Sequence, residues 1–354
     1  MKLNVGMAGF GVVGKRRRHY IDQHPHLKVV AVCDQTFERS GEIRDGVKCF
    51  RHYHELLAER LDVLFVCLPN YLAAEVTATA LDRGLHTFCE KPPGRDLQDV
   101  AQVLQAEKRN PRLKLMYGFN HRYHESVQDA LKLIAAGDLG QVVNLRGLYG
   151  KSKLISFGQN SDWRVSREYA GGGILLDQGI HMLDLMRLFA GDFTEIQSFV
   201  SNSYWQHDVE DNAYALMRSS SGVVAMLHST ATQWRHRFEL DICCERGSLT
   251  LSGILSSSKS YGQETLTVAW ADRDGVGDPR EQRTLYNQDP SWRLEIEDFA
   301  NCVLNNTAVS HGTAADAFKT MELVYKIYCA DKEWSNRWGL SSAVVTPASK
   351  KAVA

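Results

Sequence analysis

Three side chains in this sequence, Lys91, Asp177 and His181, have the chemical types and local settings expected of groups that move a proton. Lys91 follows the apolar segment 85–89 in a Glu-Lys-Pro tripeptide. A lysine at a strand end can hydrogen-bond to a hydroxyl or carbonyl and relay a proton, most easily when burial lowers its pKa. We expect Glu90 to orient it. The alternative is an exposed lysine that merely follows a strand.

Asp177 and His181 lie four residues apart in an apolar segment that predicts a helix over residues 177–189. This spacing places both side chains on one helix face. An aspartate beside a histidine fixes the imidazole tautomer and stabilises its charged form, so we expect His181 to act as an acid or base with Asp177 as its support. The alternative is a buried histidine satisfied by a carboxylate. With only Asp184 as a further nearby ligand, we expect no metal site.

A glycine motif close to the first residue predicts the binding of a dinucleotide. An apolar strand at residues 3–8 runs into Gly9-x-Gly11-x-x-Gly14, and a helix-like segment follows. The first glycine permits a tight turn, the second lets a pyrophosphate approach the backbone, and the third lets the helix pack closely. The helix N-terminus offers N–H groups to the phosphates. The expected contacts in this segment are Gly9, Phe10, Gly11, Val12, Val13 and Gly14.

The choice between dinucleotides depends on Asp34, which ends a second apolar strand twenty residues after Gly14. An acid at this place accepts hydrogen bonds from a ribose diol. It favours NAD(H) over NADP(H), because a 2′-phosphate would meet a like charge. Arg39 and the basic run at residues 15–18 keep NADP(H) as an alternative, although that run is also what a solvated helix face would show.

Strands and helices alternate through the first 120 residues. We predict strands at 3–8, 28–33, 62–68, 86–89 and 113–117, with helices at 13–23, 53–60, 72–83 and 96–109. This alternation predicts an α/β fold with a parallel sheet, and the glycine motif makes residues 1–120 a Rossmann dinucleotide-binding domain. Ligands bind beyond the carboxyl ends of such strands, so the glycine motif should meet Pro69-Asn70 and Glu90-Lys91 in one crevice. Pro69, Asn70 and Glu90 should line its cofactor side.

Consecutive strands with short turns dominate the chain after residue 120. The patterns predict helices at 126–136, 177–189 and 291–332, and strands at 141–149, 195–203, 211–218, 222–232, 236–243, 247–252 and 264–269. We therefore expect a second, α+β domain over residues 121–340 with an open, mainly antiparallel sheet. Residues 341–354 are small and polar and are expected to form a flexible tail.

The composition limits the possible partners. The 354 residues are 44% apolar and 23% charged, with a formal net charge of −1, so neither nucleic acid nor a membrane is an expected partner. No apolar stretch approaches the roughly 20 residues of a membrane span, and no secretory signal is evident. The eight cysteines show no CxxC spacing, which argues against zinc or disulfides. We expect a reduced, cytoplasmic protein.

Taken together, these motifs resemble those of the glucose–fructose oxidoreductase, inositol dehydrogenase and rhizopine catabolism family, Gfo/Idh/MocA. The matching residues span about 1–330 and are Gly9-Phe-Gly11-Val-Val-Gly14, Cys67-Leu-Pro69-Asn70, Glu90-Lys91-Pro92, Gly118-Phe-Asn120-His-Arg122-Tyr, Gly137-Asp-Leu-Gly140, Trp163-Arg164 and the block from Gly171 to Asp184. The resemblance implies that Lys91, Asp177 and His181 are the catalytic group. It also implies that the open sheet makes a homodimer or homotetramer.

Two departures from the family pattern bear on that comparison. Ala73 stands where many members have a histidine, three residues after Asn70. Some members carry a tyrosine in place of the histidine, whereas this chain has His181. The resemblance therefore favours a dehydrogenase-type site, and we also expect Arg122 beside the nicotinamide, with a surface ion pair as the alternative.

The expected reaction is hydride transfer between nicotinamide and a sugar carbinol, with His181 taking the hydroxyl proton and Lys91 steadying the oxygen. Aromatic rings suit sugar faces and arginines suit phosphate or carboxylate, which is compatible with a nucleotide sugar. The segments 173–184 and 228–236 also resemble those of family members linked to surface-polysaccharide sugar biosynthesis, and the resemblance implies a nucleotide-sugar substrate. The predicted substrate contacts are Lys91, Tyr149, Trp163, Arg164, Asp177, His181 and Arg235. The alternatives are a free sugar, inositol or other polyol, and a cofactor-retaining protein without net redox turnover, such as an NAD-dependent glycosidase or a regulator.

Overall fold

The N-terminal part of the chain forms the first of two sheets in this computed structural model, which describes residues 2–154, 162–256, 259–272 and 278–344. The strand order is β3-β4-β2-β1-β5-β6-β7, and only β3 pairs antiparallel. The strands are β1 (Leu3–Ala8), β2 (Leu27–Cys33), β3 (Gly41–Ile43), β4 (Val47–Phe50), β5 (Val63–Val66), β6 (His86–Glu90) and β7 (Leu115–Gly118). The helices between them are α1 (Val12–Gln23), α2 (Tyr53–Leu56), α3 (Asn70–Asp82) and α4 (Leu97–Arg109).

The order of these strands determines where a ligand can bind. Strands β1 and β5 lie side by side, and the chain leaves them towards opposite edges of the sheet. Such a reversal opens a crevice at the carboxyl ends of the two strands. All four residues of β5 are buried, as expected for a strand that helices cover on both faces. The glycine motif follows β1 and so borders this crevice.

The second sheet has the order β15-β14-β13-β12-β8-β11-β10-β9 and is antiparallel except between β8 and β11. Its strands are β8 (Val142–Gly150), β9 (Phe193–Ser201), β10 (Asn212–Ser219), β11 (Val224–Thr230), β12 (Arg237–Cys244), β13 (Gly247–Ser252), β14 (Glu264–Trp270) and β15 (Arg280–Tyr286). The helices that precede or interrupt them are α5 (Glu125–Ala136), α6 (Arg167–Ala170) and α7 (Ile180–Ala190).

One face of this second sheet is covered and the other is open. Buried residues alternate with exposed ones along β10, because successive side chains point to opposite faces. Helices α5 and α7 pack on the covered face. The exposed large apolar side chains on these strands are Val143, Phe199, Tyr214, Leu216, Val224, Met226 and Leu285. The open, mainly antiparallel sheet is thus confirmed.

Three helices complete the described chain, namely α8 (Ser291–Leu304), α9 (Ala314–Ala330) and α10 (Lys332–Trp338). Helix α8 returns to the first sheet, where the Phe299 ring lies 5.7 Å from Phe65 and 5.6 Å from Phe88. Helix α9 packs between α4 and β9 and so contacts both sheets. The last helices therefore join the two halves of the molecule.

Several sequence predictions differ from the structure in detail. Strands β3, β4 and β15 were not predicted, because they are short or largely exposed. The helix expected at 177–189 begins as a π-helical turn at Leu175–Gly179 and continues as α7. Of the expected tail, residues 345–354 lie outside the described residues. No described helix is long and apolar enough to cross a membrane.

Candidate active site

A cavity of about 820 Å³ lies at the carboxyl ends of the first sheet's strands and reaches the second domain. It is lined by the glycine motif, by Leu68-Pro69-Asn70 and by Glu90-Lys91-Pro92, the three segments that topology was expected to bring together. From the second domain it is lined by Tyr149, Trp163, Arg164, Asp177 and His181, among others. Its size is in the range of ligand-binding pockets.

The three glycines of the motif have the geometry that each was expected to need. Gly9 has φ +91°, and a Cβ on it would overlap the carbonyl oxygen of Cys67. A Cβ on Gly14 would overlap the carbonyl oxygen of Gly9, so α1 can approach the turn only with glycine there. A Cβ on Gly11 would meet nothing within 4 Å, which leaves its backbone open to a ligand. Phe10, Gly11, Val12 and Val13 line the cavity, whereas Gly14 packs beneath it.

Asp34 lies beside this turn, at the end of β2, and lines the same cavity. Its carboxylate accepts hydrogen bonds from the backbone N–H of Phe10 at 2.8 Å and from the hydroxyl of Thr36 at 2.7 Å. The carboxylate is therefore held at the glycine motif, where it can receive ribose hydroxyls. The residues present fit a dinucleotide with a free 2′-hydroxyl.

Glu90 does not orient Lys91, contrary to expectation. Its carboxylate accepts a hydrogen bond from Nε of the fully buried Arg17 at 2.6 Å. The same guanidinium lies 2.6 Å from the buried carboxylate of Glu295 and faces the ring of Trp292 at 4.2 Å. A guanidinium offers a carboxylate several donors in a fixed plane, and Glu90 is therefore held by Arg17 and not by Lys91.

Lys91 instead contacts Asp177, and this contact connects the N-terminal sheet with the helical segment before α7. Its ammonium donates a hydrogen bond to the Asp177 backbone carbonyl at 2.6 Å and lies 3.9 Å from the Asp177 carboxylate. Burial lowers the pKa of Lys91 below its ordinary value, against the pull of Asp177 and Glu90. For Asp177, burial opposes the charge, but Lys91, Arg164 and Lys151 outweigh it and hold the carboxyl pKa below its usual value.

The predicted support of His181 by Asp177 is not what the structure shows. The two side chains share no hydrogen bond, and both the buried Nδ1 of His181 and Oδ2 of Asp177 lack a hydrogen-bond partner. The π-helical turn replaces the regular helical spacing on which the prediction depended. The carboxylate lies instead near cations, with Arg164 Nε at 3.9 Å. Burial, together with His121, Lys91 and His124, holds the pKa of His181 well below its ordinary value.

Arg122 and Arg235 do not line the cavity. Arg122 donates to both carboxylate oxygens of Asp184, at 2.7 and 2.5 Å, and it also pairs with Asp316. This buried ion-pair network connects the segment after β7 with α7 and α9, so the predicted place beside the nicotinamide is not where Arg122 lies. Arg235 is exposed in the loop between β11 and β12.

Asn70 and Tyr149, by contrast, lie at the cavity as predicted, and each also has a structural contact. The amide of Asn70 donates to the Ala170 carbonyl at 2.8 Å and so bridges the domains. The hydroxyl of Tyr149 lies 3.1 Å from Nε2 of His121. Sequence reasoning missed His121 as an individual site residue, although it lies within the motif that carries the family resemblance.

The pKa of Lys151 is lowered to about 8, mainly by burial and also by the positive charges of Lys91, Arg164 and Lys153. The carboxylate of Asp177 partly opposes this shift. Three cations, Lys91, Lys151 and Arg164, therefore surround one carboxylate. Among the described residues, no group of histidine, cysteine or carboxylate side chains has the arrangement of a metal site.

Comparison with known families agrees with this geometry. Residues 3–119 match the model of the oxidoreductase family with an NAD-binding Rossmann fold, and residues 127–250 match the GFO/IDH/MocA C-terminal domain. The chain belongs to the Gfo/Idh/MocA family. It is an NAD(P)-dependent oxidoreductase that acts on CH–OH groups, within a family of sugar oxidoreductases.

Individual relatives show the range of that family. An inositol 2-dehydrogenase of Salmonella paratyphi B is 24% identical over 286 residues, 77% of this chain and 82% of that protein. A levoglucosan dehydrogenase in complex with NADH is 21% identical, with a TM-score of 0.81 over 94% of this chain and 98% of that one. The WlbA dehydrogenase from Bordetella pertussis, in complex with NADH and UDP-GlcNAcA, is 18% identical, with a TM-score of 0.76 over 94% and 97%.

Proposed function

We propose that the protein transfers a hydride between NAD(H) and a secondary alcohol or ketone of a sugar, with Lys91 as the proton-exchanging group. The observation that carries the proposal is the position of Lys91, whose ammonium lies in the same cavity as the glycine motif and is held by Asp177. A lysine whose pKa is lowered by burial can exist as an amine, which is the form that accepts a proton.

Lys91, Asp177 and His181 have separate roles in this reaction. When bound, the nicotinamide supplies the hydride acceptor or donor. In the oxidation direction the Lys91 amine takes the hydroxyl proton of the substrate and becomes an ammonium, and in reduction the ammonium returns it. Asp177 holds Lys91 and stabilises its charged form. His181, which lines the cavity and has no hydrogen bond to Asp177, serves as a neutral hydrogen-bonding group for a substrate hydroxyl.

The substrate that we propose first is an unphosphorylated sugar or cyclic polyol. Two arginines were expected to bind a phosphate, but only Arg164 lines the cavity, while Arg235 is exposed outside it. The relatives named as inositol and levoglucosan dehydrogenases support this choice. A nucleotide sugar is the second candidate, because the cations Lys91, Lys151 and Arg164 exceed the single carboxylate of Asp177 and would suit an anionic group.

We further propose that NAD(H) is preferred over NADP(H) and that the open sheet face binds a second copy of the chain. Asp34 supports the first proposal, since its carboxylate is fixed at the glycine motif by Phe10. The second is supported by the apolar side chains on the exposed face, of which Phe199 is 79% exposed. Exposed apolar patches of this kind mark protein–protein contacts.

The role of Lys91 is tested by the Lys91→Met variant, which keeps an unbranched side chain one atom shorter and removes the amine. We expect turnover to fall by roughly 10²-fold or more, the usual contribution of a general acid or base, while dinucleotide affinity measured by calorimetry stays within a few-fold. Turnover would be assayed with free sugars and, separately, with the corresponding nucleotide sugars as substrates. The matched control is Lys48→Met, at an exposed lysine on β4 that pairs with Glu59. Unimpaired turnover in Lys91→Met would refute the assignment.

A further inference from the structure

His121 and His181 form a stacked pair of imidazoles at the substrate end of the cavity. Their ring centroids are 3.7 Å apart and the ring planes differ by only 11°. Both rings are buried, both line the cavity, and they come from different elements, namely the short helical segment after β7 and helix α7. His181 has a role in the proposed reaction, whereas His121 has none.

Hydrogen bonds on both ring nitrogens fix the plane of His121. Nδ1 lies 3.3 Å from the side-chain oxygen of Asn120, and Nε2 lies 3.1 Å from the hydroxyl of Tyr149. The amide of Asn120 is itself oriented, because its nitrogen donates to the hydroxyl of Ser291 at 3.1 Å. A carbonyl-type oxygen only accepts, so Nδ1 of His121 must be the donor and Nε2 accepts from Tyr149.

The ring of His181 has no comparable anchor of its own. Its Nδ1 is buried without a hydrogen-bond partner, and Asp177 is not bonded to it. Phe119 contacts it edge-on at 6.5 Å, which limits sideways movement. The face-to-face contact with His121 is therefore the contact that sets the plane of the His181 ring.

We propose that His121 is a positioning residue that fixes the plane of the His181 imidazole and covers one of its faces against water. The inference rests on the proposed contact of His181 with a substrate hydroxyl, but the contact between the rings can be tested without any substrate. The hydrogen bonds with Asn120 and Tyr149 fix the plane of the His121 ring, and stacking on His121 fixes the plane of the His181 ring.

The arrangement has a consequence for the charge of His181. An imidazolium is favoured by solvent or a carboxylate beside it, whereas His121 covers one face of His181 and no carboxylate is hydrogen-bonded to the buried Nδ1. The ionisable groups on the surrounding elements are Lys91 after β6, His121 and His124 after β7, Tyr149 on β8, and Asp177 and the Arg122-paired Asp184 on its own helical segment. The cationic ones among them oppose a proton on His181, and His181 remains a neutral hydrogen-bonding group.

The test is a pH titration of the imidazole nitrogen resonances in the intact protein labelled with ¹⁵N-histidine, with His181 assigned by the loss of its signals in His181→Asn. In the unmodified chain we expect one neutral tautomer of His181 from pH 8 to pH 5. In His121→Ala, which opens the covered face to water, we expect the midpoint of His181 to rise, so that its nitrogen signals titrate between pH 8 and pH 5.

Two further variants isolate the stacking contact. His121→Phe keeps a flat ring over His181, so its His181 signals should remain those of the neutral ring even if this variant is less stable. His26→Ala removes an exposed histidine and should change nothing at His181. Titration of His181 near pH 6.5 in the unmodified chain or in His121→Phe, or an unchanged neutral ring in His121→Ala, would overturn the proposal. These readouts are independent of turnover, so a failed Lys91 test would leave them interpretable.

Discussion

Replacing Glu295 by glutamine should change how the stability of the protein depends on pH. Burial, with the nearby charge of Glu90, raises the pKa of Glu295 from 4.5 to about 8, against the pull of Arg17. In the unfolded chain the carboxyl loses its proton near pH 4.5. Between pH 4.5 and 8 unfolding therefore releases a proton, and the stability contributed by this group falls as the pH rises.

The magnitude follows from these two pKa values. Each pKa unit corresponds to about 1.4 kcal/mol, and between pH 5 and pH 8 the linkage relation gives a loss of roughly 3 to 4 kcal/mol from Glu295 alone. Glutamine resembles the protonated carboxyl in shape and carries no charge, so Glu295→Gln should match the unmodified chain at pH 5 and lack this loss at pH 8. The loss is a large share of a typical folding free energy.

Urea unfolding at pH 5, 6, 7 and 8, at one protein concentration, measures this difference. All other titrating groups are common to both proteins and cancel when the two stabilities are subtracted. Glu297→Gln is the matched control, since Glu297 lies on the same helix but forms a surface pair with Arg293. If the unfolding free energy of Glu295→Gln falls with pH as steeply as that of the unmodified chain, Glu295 is charged at neutral pH and the inferred effect of burial is wrong.

Three other substitutions, one of them with a matched control, test the proposed cofactor site and the sheet face. Gly9→Ala should abolish dinucleotide binding because of the overlap with Cys67, whereas Gly46→Ala, also at positive φ but with nothing within 4 Å, should cost only about 1 kcal/mol of stability. Asp34→Ala should weaken NAD(H) far more than NADP(H) in calorimetric titrations, and equal weakening would exclude contact with the ribose. Phe199→Glu should lower the mass measured by sedimentation, and an unchanged assembly would rule out this face as the interface.

Local chemistry made the glycine-rich turn after β1 predictable. A strand that ends in Gly9 at positive φ, followed by a helix that needs Gly14 to pack, specifies its turn within a dozen residues. The position of Asp34 follows from the length of one helix and one strand. Lys91 could be placed for the same reason, since the carboxyl ends of parallel strands share one edge.

The contacts of the site could not be read from the sequence, because they join distant residues. Arg122 pairs with Asp316, which is 194 positions away, so its charge gave no hint that it is buried. Asp177 contacts Lys91 and not His181, although His181 is only four residues away in the sequence. The local helix is a π-turn, and the cations near Asp177 come from other elements. Strand β15 is largely exposed and lacks the apolar alternation that identified its neighbours.

The return of α8 to the first sheet affects the order in which the molecule can be completed during synthesis. All seven strands of that sheet lie within the first 120 residues, yet the rings of Phe65 and Phe88 are covered by Phe299. A nascent chain that has only its first sheet outside the ribosome must leave these two aromatic rings exposed until residue 299 has followed. Such surfaces invite aggregation or capture by chaperones. The dinucleotide-binding half therefore reaches its final burial only after nearly the whole chain has been translated.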